Sequence, residues 1–281
     1  MANARGKAID KTHLSIDQAE ERGFIHRDYI AHCLRWTHVV KFLSQKQRYK
    51  DAQILDIGCG KEVPLAKLMY SSRYIVKKYA GIDVNKMVVP QMFHTGKFPI
   101  ELYSGDAADL SVEDLGFQPN IVTCFEVLEH VEPAHARDIM LNVLTLADPE
   151  ADIFISTPNW DPHVGAAANH VNEMRYEALG AMLEDIGYHI QDTWGTFASI
   201  KDYKSYIEET EFKAFFEAAR GYYDVNYLAT IFAPILPPEL ARNVLWHLKP
   251  AASGHDYGIH FNWDSVPEPY TSSDKWQELK A

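Results

Sequence analysis

Residues Gln53 to Gly60, Q-I-L-D-I-G-C-G, decide how this chain is read. Ile54, Leu55 and Ile57 form a short apolar run with Asp56 as its one charge, and Gly58 and Gly60 break it. From Val63 to Tyr70 the apolar residues return at helical spacing. A strand closing into a glycine turn and then a helix is the first crossover of an open parallel α/β sheet. Such sheets take their ligands at the carboxyl ends of the strands. Glycines there let the backbone approach a ligand with no Cβ in the way, although a tight turn can also want glycine for geometry alone.

Working outward, residues 1–22 are polar and charged, as in a loose arm, and the apolar spacing from Phe24 to Phe42 predicts a helix before the first strand. Its His26, Arg27, His32, Arg35 and His38 read as a solvated face, the competing reading being one or two of them over a ligand carboxylate. A second strand ends at Asp83, beside the glycine turn, where an acid can accept from both hydroxyls of a ribose or cap the next segment. A third, Pro99 to Tyr103, runs into Asp106, placed to accept from an adenine amino group. Pro119 to Phe125 and Asp152 to Ser156 are the fourth and fifth strands, with a proline-started helix at Pro133 between them. A helix from Glu173 to Tyr188 and strands at 189–198 and 243–248 complete seven. The late strands are separated by a helical insertion at about 200–240 that holds an acidic helix from Tyr206 to Arg220. The expected division is an arm and helical cap (1–48), the α/β domain (49–250) and a loop-rich tail (251–281).

At 281 residues the chain suits one α/β domain with extensions, by a soft measure of ~150 residues per domain. A net charge of -12 argues against a broad basic surface for nucleic acid. Cys33, Cys59 and Cys124 are unevenly spaced and read as buried thiols in a reducing compartment. No apolar run nears the ~20 residues of a membrane span, and the first residues lack the apolar core of a secretory signal. A cytoplasmic protein with no membrane partner is expected, its oligomeric state open.

The landmarks Asp56/Gly58/Gly60, Asp83, Asp106 and Glu126 stand in order at four successive strand ends. As a set they resemble the class I S-adenosylmethionine-dependent methyltransferases, over residues 50–198. The resemblance implies a Rossmann-like, doubly wound seven-stranded α/β sheet with an N-terminal helical cap and a helical insertion between strands six and seven. It also implies that Gly58 and Gly60 meet the methionine end of S-adenosyl-L-methionine, that Asp83 meets the ribose and that Asp106 with Ala107 meets the adenine, with Asp56, Cys59 and Val84 as further cofactor-binding residues. One departure is Lys61-Glu62 in place of the third glycine common in the family. A glutamate in the first helical turn would suit the helix dipole, so the turn is expected to survive with altered geometry. A Rossmann NAD-dependent enzyme would want a glycine where Val63 stands. A noncatalytic cofactor-binding or scaffold protein is the reading from another class. The absence of an N-P-P-Y type motif disfavours amino-group methylation of DNA bases.

Glu126, Glu129 and His130 form E-x-x-E-H, with S-T-P-N at Ser156 to Asn159 and His170 beyond. This is similar to metal-dependent O-methyltransferases of the ubiquinone-biosynthesis and small-RNA 2′-O types. The resemblance implies Glu126, Glu129, His130 and His170 as ligands of a divalent cation such as Mg²⁺. Glu126, Glu129 and His130 are also the candidate catalytic residues. Carboxylate and imidazole ligands suit such ions, and a bound cation would lower the pKa of an unactivated hydroxyl. The competing reading makes Glu126 a cofactor contact and leaves the histidines solvated. The expected reaction is methyl transfer to an oxygen of a small molecule. RNA 2′-O-methylation is the alternative, weakened by the acidic balance. Trp160, His163, Tyr222 and Tyr223 would suit an aromatic or glycosidic acceptor, with the insertion as its lid or as a dimer surface.

Overall fold

The structure, a computed structural model, describes residues 27–46, 49–72 and 76–280. The arm at 1–22, the helix start at Phe24 and His26 lie outside the described residues. Helix α1 (Arg27–Gln45) leads into β1 (Gln53–Ile57), α2 (Pro64–Ser71), β2 (Lys78–Asp83) and β3 (Ile100–Ser104). Then come α3 (Val112–Leu115), β4 (Ile121–Phe125), α4 (Pro133–Leu146), β5 (Asp152–Pro158), α5 (Tyr176–Asp185) and β6 (Tyr188–Phe197). The insertion holds α6 (Lys204–Glu209), α7 (Phe212–Ala219) and α8 (Val225–Phe232), and β7 (Asn243–Pro250) closes the sheet. The single acidic helix expected from Tyr206 is thus two, broken at Thr210 and Glu211.

One seven-stranded sheet runs β3-β2-β1-β4-β5-β7-β6, with β7 antiparallel to both its neighbours and the other pairings parallel. This is the doubly wound Rossmann-like arrangement. The chain reverses its winding between β1 and β4, where a crevice opens at the strand ends. Side chains alternate across the pleat. Leu55 and Ile57 of β1, Val122 and Cys124 of β4, and Ile153 and Ile155 of β5 therefore enter the core under α4 and α5. Ile54, Ile121 and Phe154 enter the opposite core with Val39 and Leu43 of α1 and Leu65 and Met69 of α2.

Helix α1 does not present Arg27, His32, Arg35 and His38 as a solvated face. It packs against β6 and α8, so both of its flanks are covered. Arg35 is 2% exposed, and His32 and His38 are half-buried. Burial pushes the His32 imidazole down to about 3, helped by the Arg35 charge, and the His38 imidazole down to about 4. These two rings are neutral wedges. Arg27 donates to the Ala198 carbonyl at 2.7 Å and lies over the Phe197 ring, tying the helix to the end of β6. The tail after β7 packs back on the domain. Thr271 bridges Met174, and the Ser272 N–H donates to the Glu173 carbonyl at 2.9 Å, which pins the segment carrying His170.

Candidate functional site

The turn after β1 is built from positive φ angles. Gly58 (φ 67°) and Gly60 (φ 65°) take the left-handed region that glycine enters without strain. Gly58 N–H donates to the Ile82 carbonyl at 2.8 Å, so the turn is hung on the end of β2. The next residues depart from the expectation for Lys61-Glu62. Val63 is the buried, left-handed N-cap of α2, and Pro64 opens the helix, so Glu62 precedes the first turn and pairs with Lys67 instead. The turn is thus kept with a third left-handed residue, Val63, that is not a glycine.

Asp83 serves this turn directly. One carboxylate oxygen accepts from Gly60 N–H at 3.0 Å, and the other accepts from the Asn85 backbone and side-chain amides at 2.8 and 2.7 Å. Val84 beside it is 80% exposed. Asp56 lies beneath the turn, accepting from the Tyr79 hydroxyl and from Thr123 Oγ1 at 2.7 Å. Burial raises its carboxyl to about 6 despite those two donors. Cys59 turns its thiol into the sheet against Gly81, where any Cβ would lie 2.8 Å from Sγ. Burial pushes that thiol well up, so Cys59 stays protonated and only its backbone can meet a ligand. Asp106 caps the short turn Ala107–Asp109 by accepting from Ala108 N–H at 2.9 Å. Its other oxygen pairs with His135 Nε2 at 2.9 Å, a partner that nothing in the local sequence marked.

A second group lies past β4. Glu129, His130 and His170 each bring one donor atom to within 4.8 Å of the others. Glu129 is fully buried. Its Oε2 accepts from Thr157 Oγ1 at 3.2 Å, and its Oε1 has no hydrogen-bond partner. Burial, reinforced by the nearby Glu126 charge, holds the Glu129 carboxyl well above the usual range. Both imidazoles are oriented through Nδ1. His130 donates to the Asn169 carbonyl at 3.2 Å and His170 pairs with Glu173 Oε1 at 2.5 Å. A donor bond at Nδ1 puts the lone pair at Nε2, which is how metal-ligating histidines are usually prepared. An orphaned buried carboxylate oxygen and two oriented imidazoles fit a divalent cation.

Glu126 is not brought into this group. It stands at φ 57°, a strained position for a residue with a Cβ, and its carboxylate turns toward α1. There it pairs with Arg35 Nη1 at 3.1 Å and accepts from Asn243 Nδ2 at 2.9 and 3.0 Å and from Ser156 Oγ at 2.9 Å. Arg35 and these hydrogen bonds hold the Glu126 carboxyl below the usual range, against the penalty of burial. Arg35 and Asn243 are therefore parts of the site that the E-x-x-E-H motif could not reveal, since they come from 91 residues before and 117 residues after Glu126.

Between these groups lies a cavity of about 890 Å³. Its walls are the inward face of α1 (His32, Arg35), the loop from Trp160 to Ala168, and the two ends of the insertion at Phe197 and Arg242. Glu126, His170 and Tyr176 reach it as well. Within the lining, Arg242 pairs with Asp202 at 2.8 Å and Arg175 lies over the Trp160 ring. Tyr222 and Tyr223, expected beside the acceptor, do not line the cavity and are exposed. Among the described residues no helix is long and apolar enough to cross a membrane.

A glycine turn tied to a second-strand acid, at the switch point of a doubly wound sheet, is the arrangement in which such folds take nucleotide-like ligands. The chain belongs to the methyltransferase-domain family, whose model matches residues 26–215. It is 25% identical over 167 residues to a probable S-adenosylmethionine-dependent methyltransferase of Mycolicibacterium smegmatis, covering 57% of this chain and 61% of that one. It is 32% identical over 113 residues to the ubiquinone biosynthesis O-methyltransferase of Aeromonas salmonicida, covering 39% and 44%. The chain thus spans less than two thirds of the length of these curated relatives. Among solved structures, the magnesium protoporphyrin IX methyltransferase of Synechocystis PCC 6803, with bound SAH, superposes with a TM-score of 0.51 at 14% identity. That match covers 87% of this chain and 99% of that one. The small RNA methyltransferase HEN1 gives a TM-score of 0.53 at 17% identity, covering 83% and 27%. At these identities the structural matches bear on the fold alone.

Proposed function

We propose that this protein transfers a methyl group from S-adenosyl-L-methionine to an oxygen of a small molecule held in the cavity beside Glu126. The observation that carries this reading is the pairing of Gly60 with Asp83, on a turn whose Gly58 lies under Val127, the residue next to the cavity-lining Glu126. S-adenosylmethionine supplies an electrophilic methyl carbon, and the acceptor oxygen forms the new bond in line as the carbon–sulfur bond breaks. The protein's work is then mainly to align donor and acceptor. Gly58 and Gly60 give the methionine end room to approach. Asp83, already fixed by three amide donors, offers its oxygens to the ribose hydroxyls, Asp106 and Ala107 border the adenine, and Val84 is a further cofactor contact. A divalent cation held by Glu129, His130 and His170 would supply Lewis-acid activation of the acceptor hydroxyl. Glu173 and the Asn169 carbonyl keep the two imidazoles in the ligating tautomer.

The acceptor side favours a small molecule. The cavity has the volume of a small-ligand pocket, and two of its three arginines, Arg35 and Arg242, are already paired with carboxylates. An RNA acceptor is the second reading, motivated by the Glu129–His130–His170 group. The net charge of -12 speaks against it, because phosphate contacts supply most nonspecific affinity for nucleic acid. Three free thiols suit a reducing cytoplasm.

Calorimetric titration with S-adenosylhomocysteine tests the central reading, with saturable one-site binding as the expected result. Absence of binding to folded protein would refute it. For the ion, turnover should be lost in chelator and return with Mg²⁺ or Mn²⁺, whereas full activity in chelator would leave the group a structural one.

A further inference from the structure

The E-x-x-E-H motif invites both glutamates to share one ion, but the structure parts them. Glu129 faces His130 and His170 with one oxygen unpartnered. Glu126 adds no oxygen to that group, and both of its oxygens are engaged on the far side. Oε1 meets Arg35 Nη1, Ser156 Oγ and Asn243 Nδ2, and Oε2 meets Asn243 Nδ2. We infer that Glu126 is not a metal ligand but the anionic half of a buried clasp with Arg35 that closes the inner end of the acceptor cavity. This leaves the cation a three-residue site of Glu129, His130 and His170. The inference rests on the metal reading above and deepens it.

Three observations carry the assignment. Arg35 is as buried as any core residue, so its charge needs a resident counter-ion, and Glu126 is the carboxylate that it meets. If Glu126 swung to the ion, that guanidinium would be left buried beside Asn243 and the half-buried His32 ring, a costly arrangement. The clasp is also over-determined. Asn243 donates to Glu126 through its amide nitrogen while its oxygen accepts from Arg35 Nη1 at 3.0 Å and from Thr196 Oγ1 at 2.8 Å. That bracing holds the left-handed backbone of Glu126 in place, as strained residues require. Finally, three protein donors leave coordination positions for an acceptor oxygen, as sites that do chemistry usually keep. The acceptor then meets a neutralised ion pair at the inner end of its cavity, which suits an uncharged hydroxyl better than a carboxylate or phosphate.

The test is titration of the full chain with Co²⁺ in the absence of acceptor, followed by calorimetry and by visible absorption of the bound ion. Wild-type protein should bind one ion, and Glu129→Gln should weaken it about tenfold or more, as loss of a ligand demands. Glu126→Gln should leave the visible spectrum of the bound Co²⁺, and so its ligand set, unchanged, whereas Glu129→Gln should change it. Should Glu126→Gln fold poorly, the double variant Arg35→Met/Glu126→Leu removes both charges at similar volume and must also retain the ion. A changed spectrum of the bound Co²⁺ in folded Glu126→Gln, or in the double variant, would overturn the clasp while leaving the metal reading standing. No Co²⁺ binding by the wild type would overturn both.

Discussion

Replacing Gly58 by alanine tests the glycine turn most directly, because two separable penalties meet there. The residue stands at φ 67°, and a Cβ built on it would overlap Cγ2 of Val127. Left-handed backbone in a residue with a Cβ costs roughly 1–2 kcal/mol, and overpacking a filled site costs roughly 1–3 kcal/mol more. Gly58→Ala should therefore destabilise the fold by about 2–5 kcal/mol. Gly60 is the internal control. Its φ of 65° is nearly the same, but nothing lies within 4 Å of a Cβ built there. Gly60→Ala should then show only the backbone part, about 1–2 kcal/mol. Urea denaturation of both variants, of Val127→Ala and of Gly58→Ala combined with Val127→Ala completes a double-mutant cycle. The Gly58–Val127 coupling should equal the overpacking part, about 1–3 kcal/mol in favour of the double variant. If Gly58→Ala proves no worse than Gly60→Ala, or if the coupling is near zero, then Val127 does not pack over the turn as described.

Three further outcomes are expected. Asp83→Ala should weaken S-adenosylhomocysteine binding by about 10- to 100-fold, the range for losing hydrogen bonds to a charged acceptor. Unchanged affinity by calorimetry would remove Asp83 from the cofactor site. Asp56 has its folded carboxyl raised from 3.8 to about 6, so folding favours its protonated form. Its contribution is fully present below about pH 4 and lost as pH rises through 6. The stability of the wild type relative to Asp56→Asn should thus fall by ~3 kcal/mol across that window, and a flat difference in urea midpoints would contradict it. Glu126→Ala strands a buried guanidinium and should cost about 3–5 kcal/mol, whereas Arg35→Met/Glu126→Leu should lie near wild type. Equal losses in thermal melts of the two variants would argue against a compensated pair.

What could be read from the chain in advance followed from local signals. Apolar runs with period two, glycines at a strand end and acids at successive strand ends are properties of neighbouring residues, and they located the sheet, the turn and Asp83. The basic residues of α1 were misread because a helical face looks the same whether water or another element covers it. Only the packing of β6 and α8 against α1 made Arg35 and His32 interior. The motif from Glu126 to His130 was legible as chemistry but not as geometry. A left-handed backbone at Glu126 sends its side chain away from Glu129, and no propensity marks such a residue when it is not glycine. The role of Glu173 had a faint local signal, since an acid three residues after His170 can reach its ring. Asn243, braced from across the sheet, had none.

The walls of the cavity come from parts of the chain that take no part in the glycine turn. The turn, Asp83 and Asp106 all fall between residues 53 and 110, while α1, the loop after Trp160 and the two ends of the insertion form the rest. Selection can therefore act on the two halves almost independently. A library randomised at residues 160–168 and 239–242 reshapes the cavity wall and leaves the residues of the turn, Asp83 and Asp106 as they are.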